Sequence, residues 1–377
     1  MWLERIVGSS KEDKDIRPKY YKVMTRTGEG SKKSGINING KQKGICSTPK
    51  VTIIVLNWNG RNLLKKCLDS VIKTNYPNFE VIVVDNASND GSQSIIEKHY
   101  ANVRLIENMK NIGYAGGNNV AIKCTEGDYV VLLNNDTIVH RDWISELIKI
   151  ALTDYRIGIL GCKVYVMGTN IIQHAGCELS FISKPFFTRS LEEDRGQYNE
   201  VSDVDYISGE AMMIKRDVFD KVGLLDLDYF AYWEDVDFCY RTRKAGYRIV
   251  YVPKSIIEHK ISASWEKRPL EAKILGEKNR ILFILKNLPY HRIIGLPILE
   301  ITHLSKRLVE GLSQMILARN PHVQAAVLGL SEKASTSMRL RVILDWPVAL
   351  LYAYLWNIRF LRRTLSRRLK NEIKSTT

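Results

Sequence analysis

The sequence predicts an α/β protein: an open, mixed but mainly parallel sheet flanked by helices, with a C-terminal helical extension. Three observations carry that prediction. Short β-branched, wholly apolar runs recur from residue 51, amphipathic stretches separate them, and each run ends on small polar residues. Runs that apolar read as strands covered on both faces, and their alternation with helices favours parallel pairing by crossover.

VTIIVLN (51–57) is the first such strand. RNLLKKCLDSVIKT follows and places Leu63, Leu64, Cys67, Leu68, Val71 and Ile72 on one helical face. FEVIVVD (79–85) is a second strand, succeeded by NASNDGS and a helix near 91–100. VRLIEN (103–108), a helix through 114–124 and DYVVLLN (128–134) continue the pattern. After about residue 155 it loosens, and HAGCELS with the charged LEEDRGQ suggests a mobile connection. DYISGEAMMIKRDVF (205–219) reads as a strand entering a short helix; a helix over 234–245 then leads to the strand 247–253 and to IIEHK. Beyond 266 the chain is helical, basic and apolar.

Charge divides the chain in the same places. Residues 1–50 hold 12 Lys and Arg against 5 Asp and Glu, and residues 260–377 hold 21 against 8, while 51–259 hold 23 against 28. Basic ends on a mildly acidic centre suit contact with an anionic surface. Residues 8–50 are rich in Gly, Ser, Lys and Asn without periodicity, so 1–50 is expected to be a mostly disordered extension. The N-terminus lacks the apolar core of a secretion signal. The six cysteines form no CxxC pair, which favours buried free thiols in a reducing compartment.

In an open parallel sheet, ligands bind beyond the carboxyl ends of the strands. The residues there are Asn57-Trp58-Asn59, Asp85-Asn86, NMKNIGYAGGNN (108–119) and Asn134-Asn135-Asp136. Asp85 could accept hydrogen bonds from a base or ribose, or could close an Asx turn. The glycine-rich stretch matches neither a phosphate loop nor a GxGxxG loop. Asp136 could hold Mg²⁺ or Mn²⁺ with help from another group, for which His259 is the candidate. YFAYWEDVDFCYR (229–241) sets Glu234, Asp235 and Asp237 among aromatics, either as helix caps or as a carboxylate held for proton chemistry.

VTIIVLNWNG, VIVVDNASNDGS, NIGYAGGNN, LLNND, ISGEAMMIKRDVF and YWEDVDFCYRTRKAGYRIVYVP follow one another at workable spacing. Together they resemble glycosyltransferase family 2, specifically its rhamnosyltransferase-like members, over about residues 51–265. The resemblance implies a GT-A (Rossmann-like) fold and inverting transfer of a sugar from a dTDP- or UDP-linked donor. It implies a nucleotide-binding half (51–137), an acceptor half (138–265) and Asp235 as the base. It further implies donor contacts from Asn57, Asn59, Asp85, Asn86, Gly113, Gly117, Asn118, Asn134 and Asn135, acceptor contacts from Trp233 and Glu234, and a divalent cation on Asp136 and His259. The sequence departs from the family's paired aspartates at Asn134.

The tail (266–377) has apolar runs at 281–301 and near DWPVALLYAYLWNIRFLRRTLSRR, both interrupted by charge or proline. Neither reads as a membrane span; both suit a helix lying in an anionic membrane surface. That reading places the protein on the cytoplasmic face of a membrane, with a lipid-linked glycan acceptor and an oligomer left open. A competing class, a nucleic-acid-binding or non-catalytic sugar-binding protein, has no recognised motif in the basic ends, so no nucleic-acid partner is expected.

Overall fold

The computed structural model describes residues 21–24, 48–179, 191–260, 269–295, 305, 309 and 345–376. Its centre is one twisted sheet. Strands β1 (Tyr21–Met24), β2 (Val51–Asn57), β3 (Phe79–Asp85), β4 (Val103–Asn108), β5 (Tyr129–Asn134), β6 (Thr137–Val139), β7 (Ile157–Val166), β8 (Ile171–His174), β9 (Glu192–Glu193), β10 (Ser202–Asp203), β11 (Ala211–Lys215) and β12 (Arg248–His259) all join it. The order is β1-β4-β3-β2-β5-β11-β7-β12-β10. β4, β3, β2 and β5 run parallel, as do β7 and β12, while β11 is antiparallel to both neighbours.

The chain moves outward from β2 to β4 and then returns to β2's other side with β5. The crevice between β2 and β5 is therefore a topological switch point, where the loops diverge and leave room for a ligand. Parallel register sets Asn57 opposite Asp85 and Leu56 opposite Asn134, so the polar strand ends form one row.

Alternation along each strand feeds two cores. Ile53 and Val55 face α1 (Arg61–Val71), α2 (Ser92–His99) and α4 (Trp143–Ala151), with Leu64, Leu68, Ile96 and Trp143 buried there. Ile54, Ile82 and Val84 face α3 (Gly113–Ile122), α5 (Arg216–Val222), α6 (Glu234–Lys244) and α7 (Pro269–Asn287). Each large aliphatic side chain buried there stabilises the fold by about 1.5–3 kcal/mol. Two further helices are α8 (Tyr290–Ile294) and α9 (Trp346–Thr376); Ala353 of α9 is buried against Ile281 and Leu285 of α7.

Several expectations change. Ile72, assigned to the buried face of the first helix, is 50% exposed, because α1 ends at Val71 and Ile72 caps it. In the N-terminal extension Tyr21–Met24 forms an edge strand on β4; its other residues before 48 lie outside the described ones. The stretch read as a mobile connection is built in on both sides. His174 ends a buried strand, and Glu192–Glu193 pairs with it as β9, while 180–190 lie outside the described residues. Finally, 248–259 is one continuous strand with a register shift between Val252 and Ile256, beside Pro253, which cannot donate to a ladder. His259 is that strand's last residue.

Candidate active site

The loops after β2 and β3 are joined by side chains. Asn57 Nδ2 donates to Asp85 Oδ2 at 2.8 Å and Asn57 Oδ1 accepts from Asn135 Nδ2 at 2.6 Å. Ser88 Oγ accepts from the Asn59 backbone N–H at 2.8 Å, and Asn59 Oδ1 accepts from the Asn89 N–H at 2.8 Å. Asn59 and Ala87 adopt left-handed φ values of 51° and 59°, strain of the kind that fixed loops hold at sites. Asp85 is fully buried; it also accepts from Ser88 N and Gln93 Nε2, so three of its roughly four lone-pair sites are filled by protein. Asn86 Nδ2 donates to Gly113 O, and Asn86 Oδ1 accepts from Asn108.

Two of the expected donor contacts, Gly113 and Gly117, stand where the backbone packs closely against other parts of the protein. A Cβ on Gly113, whose φ is +78°, would lie 2.4 Å from the Phe230 carbonyl oxygen, and one on Gly117 would lie 2.4 Å from Leu56 Cδ1. Close protein packing therefore requires glycine at both positions. Asn118 is buried with Nδ2 on Tyr114 O, and its Oδ1 has no hydrogen-bond partner among the described residues.

β6 pairs antiparallel with the end of β12, setting Thr137 opposite His259, and this brings Asp136 beside His259. His259 Nε2 lies 3.2 Å from Asp136 Oδ1, an oxygen with no aligned hydrogen bond among the described residues. His259 Nδ1 is 2.9 Å from Gln173 Oε1, and Gln173 Nε2 donates to Glu210 Oε1 at 3.2 Å. Because the Gln173 amine points at a carboxylate, its oxygen faces His259, so Nδ1 carries the hydrogen. The Nε2 lone pair then confronts a carboxylate, an arrangement that calls for a proton or a metal cation between them. Burial alone would lower the His259 pKa, but Asp136 and Glu210 raise it overall. Imidazole and carboxylate are donor types that suit Mn²⁺, but among the described residues no group of three or more such side chains gathers here.

Glu210 is a site residue that sequence reasoning passed over within ISGEAMM. Its Oε2 is 2.9 Å from His174 Nε2. Burial works against its charge, but His174 and then His259 hold the carboxyl below the usual range. Its backbone carbonyl accepts from Asn134 N at 3.0 Å, and the adjacent Gly209 N–H donates to Asp235 Oδ2 at 2.9 Å. One loop therefore touches β5, the histidine pair and the helix carrying Asp235. The only local signal was a string of polar residues at strand ends, Gln173-His174 and Ser208-Gly209-Glu210.

α6 begins with Glu234, Asp235 and Asp237 in its first turn, where the helix dipole favours negative charge. The structure separates them. Asp237 accepts from Tyr229 Oη (3.0 Å), Arg241 Nε (2.7 Å) and Asn287 Nδ2 (2.9 Å), a fully paired structural carboxylate. Asp235, partly open to solvent, accepts from Gly209 N and Val236 N; burial first, then the Glu210 charge, pushes its pKa up to about 6. Glu234 is buried, and Oε2 has no hydrogen-bond partner among the described residues. Burial and the neighbouring Asp235 charge hold its carboxyl well above the usual range. Of two adjacent carboxyls, the more deeply buried Glu234 therefore holds its proton more tightly than Asp235. Trp233 caps α6 in a left-handed conformation, its ring against Phe283 of α7 with centroids 5.4 Å apart.

Comparison with known proteins agrees with this geometry. Residues 52–223 match the family model "Glycosyl transferase family 2". An uncharacterized protein of Sinorhizobium fredii, y4gI, is 31% identical over 229 residues, covering 58% of this chain. The chain spans 25% of that relative's length. An N-acetylglucosaminyl-diphospho-decaprenol L-rhamnosyltransferase of Mycobacterium tuberculosis is 25% identical over 260 residues, 63% of this chain and 84% of that one. The mannosyltransferase PcManGT of Pyrobaculum calidifontis, solved with GDP-Man and Mn²⁺, aligns with a TM-score of 0.53 at 19% identity. That alignment covers 83% of this chain and 88% of that one, and it establishes a shared GT-A-like fold.

Proposed function

We propose that the chain, which matches the glycosyl transferase family 2 model over residues 52–223, is an inverting glycosyltransferase. It moves a sugar from a nucleotide-diphosphate donor, seated at the β2/β5 edge, to an acceptor hydroxyl presented at Asp235. The observation that carries this reading is Asp235, held at the start of α6 by the Gly209 and Val236 N–H groups, beside the Gly209–Glu210 loop that bonds the end of β5 at Asn134.

Asp235 takes the hydroxyl proton as the acceptor oxygen attacks the anomeric carbon. The bond from that carbon to the diphosphate breaks, and the electron pair leaves with the diphosphate. A positioned base contributes on the order of 10² to 10⁴ in rate. One carboxylate suffices, since a diphosphate leaves without a proton, whereas glycosidases need a pair. Glu234 contacts the acceptor sugar, and Trp233 forms one wall for it. Asn57, Asn59, Asn86, Asn134 and Asn135 shape the nucleotide pocket, and Asp85 offers the base its remaining lone pair. Asp136 and His259 would hold Mg²⁺ or Mn²⁺, which when bound stabilises the charge on the departing diphosphate.

Rhamnose is the first donor sugar to test and a polyprenyl-linked glycan the first acceptor, both suggested by the name of the mycobacterial relative. Peripheral attachment to the cytoplasmic face of a membrane fits α9, although no helix among the described residues is long and apolar enough to cross one. Val348, Leu351, Tyr352, Leu355 and Ile358 are exposed along one face of α9, which continues into exposed Arg359 and Arg362. Such a face suits an anionic bilayer surface.

A donor screen with dTDP-, UDP- and GDP-sugars, Mn²⁺ and membrane lipid extract, followed by nucleotide release, tests the activity. No turnover of any sugar nucleotide sinks it. His259→Ala should raise the Mn²⁺ concentration needed for binding at least tenfold; an unchanged Mn²⁺ titration by electron paramagnetic resonance removes the metal assignment. Flotation with phosphatidylglycerol vesicles but not phosphatidylcholine vesicles is the outcome expected for the tail.

A further inference from the structure

Helix α7 contains a buried polar run. Glu277, Lys278, Asn279 and Arg280 are consecutive and all lie inside. Glu277 and Arg280 pair at 2.8 Å, and Lys278 Nζ donates to the Asp228 carbonyl at 3.2 Å, over the Trp356 ring. Asn279 is different. Its Nδ2 lies 2.7, 2.8 and 2.7 Å from the carbonyl oxygens of Tyr229, Ala231 and Tyr232. A single NH₂ group thus shares two hydrogens among three acceptors of one short segment.

That segment is strained. Phe230, Tyr232 and Trp233 have φ values of 62°, 69° and 73°, a region that bulky L-residues avoid unless their surroundings enforce it. The fourth carbonyl, of Phe230, accepts from the Tyr114 N–H (2.6 Å) and the Ala115 N–H (3.3 Å) at the start of α3. Every carbonyl from 229 to 232 is therefore held by a donor on a helix from another part of the chain. Just upstream, Asp226 is paired with Lys286, and Asp228 with Arg363 (2.9 Å) and Arg367. Immediately downstream are Glu234 and Asp235.

We infer that Asn279 is a positioning residue for this site: by turning the Tyr229, Ala231 and Tyr232 carbonyls toward α7 it holds the left-handed path that sets the start of α6, and with it Asp235. The helical tail is then part of the acceptor site as well as an attachment device. The inference rests on the assignment of Asp235 as base for its catalytic meaning, and on geometry alone for the conformation.

The test uses the full chain labelled with 5-fluorotryptophan, the Trp233 fluorine resonance being identified by its loss in Trp233→Phe. Asn279→Ala should shift and broaden that resonance while leaving Trp143, buried on the opposite face of the sheet, unchanged. UDP and dTDP binding with Mn²⁺ should stay within about twofold, and kcat on any donor found by the screen should fall at least tenfold. Asn279→Asp keeps the volume but turns a donor into an acceptor, so it should match Asn279→Ala; a role in space-filling alone would leave it like wild type. An unmoved Trp233 resonance in folded Asn279→Ala and Asn279→Asp overturns the inference. If loss of the Trp143 resonance shows that Asn279→Ala does not fold, the double variant Arg363→Gln/Arg367→Gln, which loosens Asp228 from outside, should give a smaller Trp233 shift, and none overturns the inference equally. Full turnover in Asp235→Asn would remove the base assignment and leave the fluorine result standing, so the two failures are distinguishable.

Discussion

The edge at the ends of β2, β3 and β5, the proposed donor site, and the loop 226–235, the proposed acceptor site, are built in opposite ways. At the strand edge Asn57, Asp85, Ser88 and Asn135 satisfy one another across adjacent parallel strands, delivered by the ends of β2, β3 and β5 and the residues that follow them. At the acceptor loop the segment 226–235 is held by α3, the Gly209–Glu210 loop, α7 and α9, and it retains strained backbone and a buried acid. Satisfied polar networks make rigid, stable pockets, whereas strain and displaced pKa values belong where chemistry is done. The comparison predicts that substitutions at the edge cost mainly stability and substitutions at the loop cost mainly rate.

The largest effect should come from Asp235→Asn, with transfer falling by on the order of 10² to 10⁴ and UDP or dTDP binding intact. Because the raised pKa of about 6 belongs to a base that works deprotonated, wild-type kcat/KM should decline as pH falls through about 6. An acid limb centred near 4 would place the base elsewhere. Asn57→Ala should instead destabilise the fold by about 2 kcal/mol, as buried Asp85 and Asn135 lose their partner; denaturant unfolding measures this. A loss of rate without loss of stability would break the contrast.

Lys278→Met sharpens the same contrast inside the tail. Burial lowers the Lys278 pKa to about 7, below its unfolded value, so the folded state carries a costly buried charge at low pH. Between pH 7 and 9 the unfolded chain stays protonated while the folded one does not, and stability rises with pH by about 1 kcal/mol per unit. Lys278→Met lacks this slope, so the gap between the two proteins should move in favour of wild type from pH 7 to 9. Ile72→Lys should be the mildest change, within about 0.5 kcal/mol, because the side chain is half exposed at a helix end.

Much of this was legible in the chain. The strands from 51 to 134 announced themselves as β-branched runs, and their polar ends marked the ligand edge, since a parallel strand buried on both faces leaves only its ends to carry chemistry. The motif assigned Asp235, Glu234 and Asp237 different roles, but the contacts around each were not legible, because all three share one helix turn and differ only in what surrounds them. The close packing of Gly113 on Phe230 and of Gly117 on Leu56 was not legible either, since it joins remote segments. Glu210, Gln173 and Asn279 gave no usable signal, for a polar residue inside an apolar run looks alike whether it is exposed or spanning to a distant carbonyl.

By itself, then, the sequence determined the elements, their alternation and the row of polar residues at the β2/β5 crevice, because periodicity and burial are local properties of a chain. Only the tertiary structure decided which atoms meet. Asp136 faces His259 because β6 pairs with β12, Glu210 faces His174 across the loop after β8, and α7 reaches the strained loop with one amide. Those contacts depend on antiparallel additions and helix docking between remote segments, whose register no local pattern encodes.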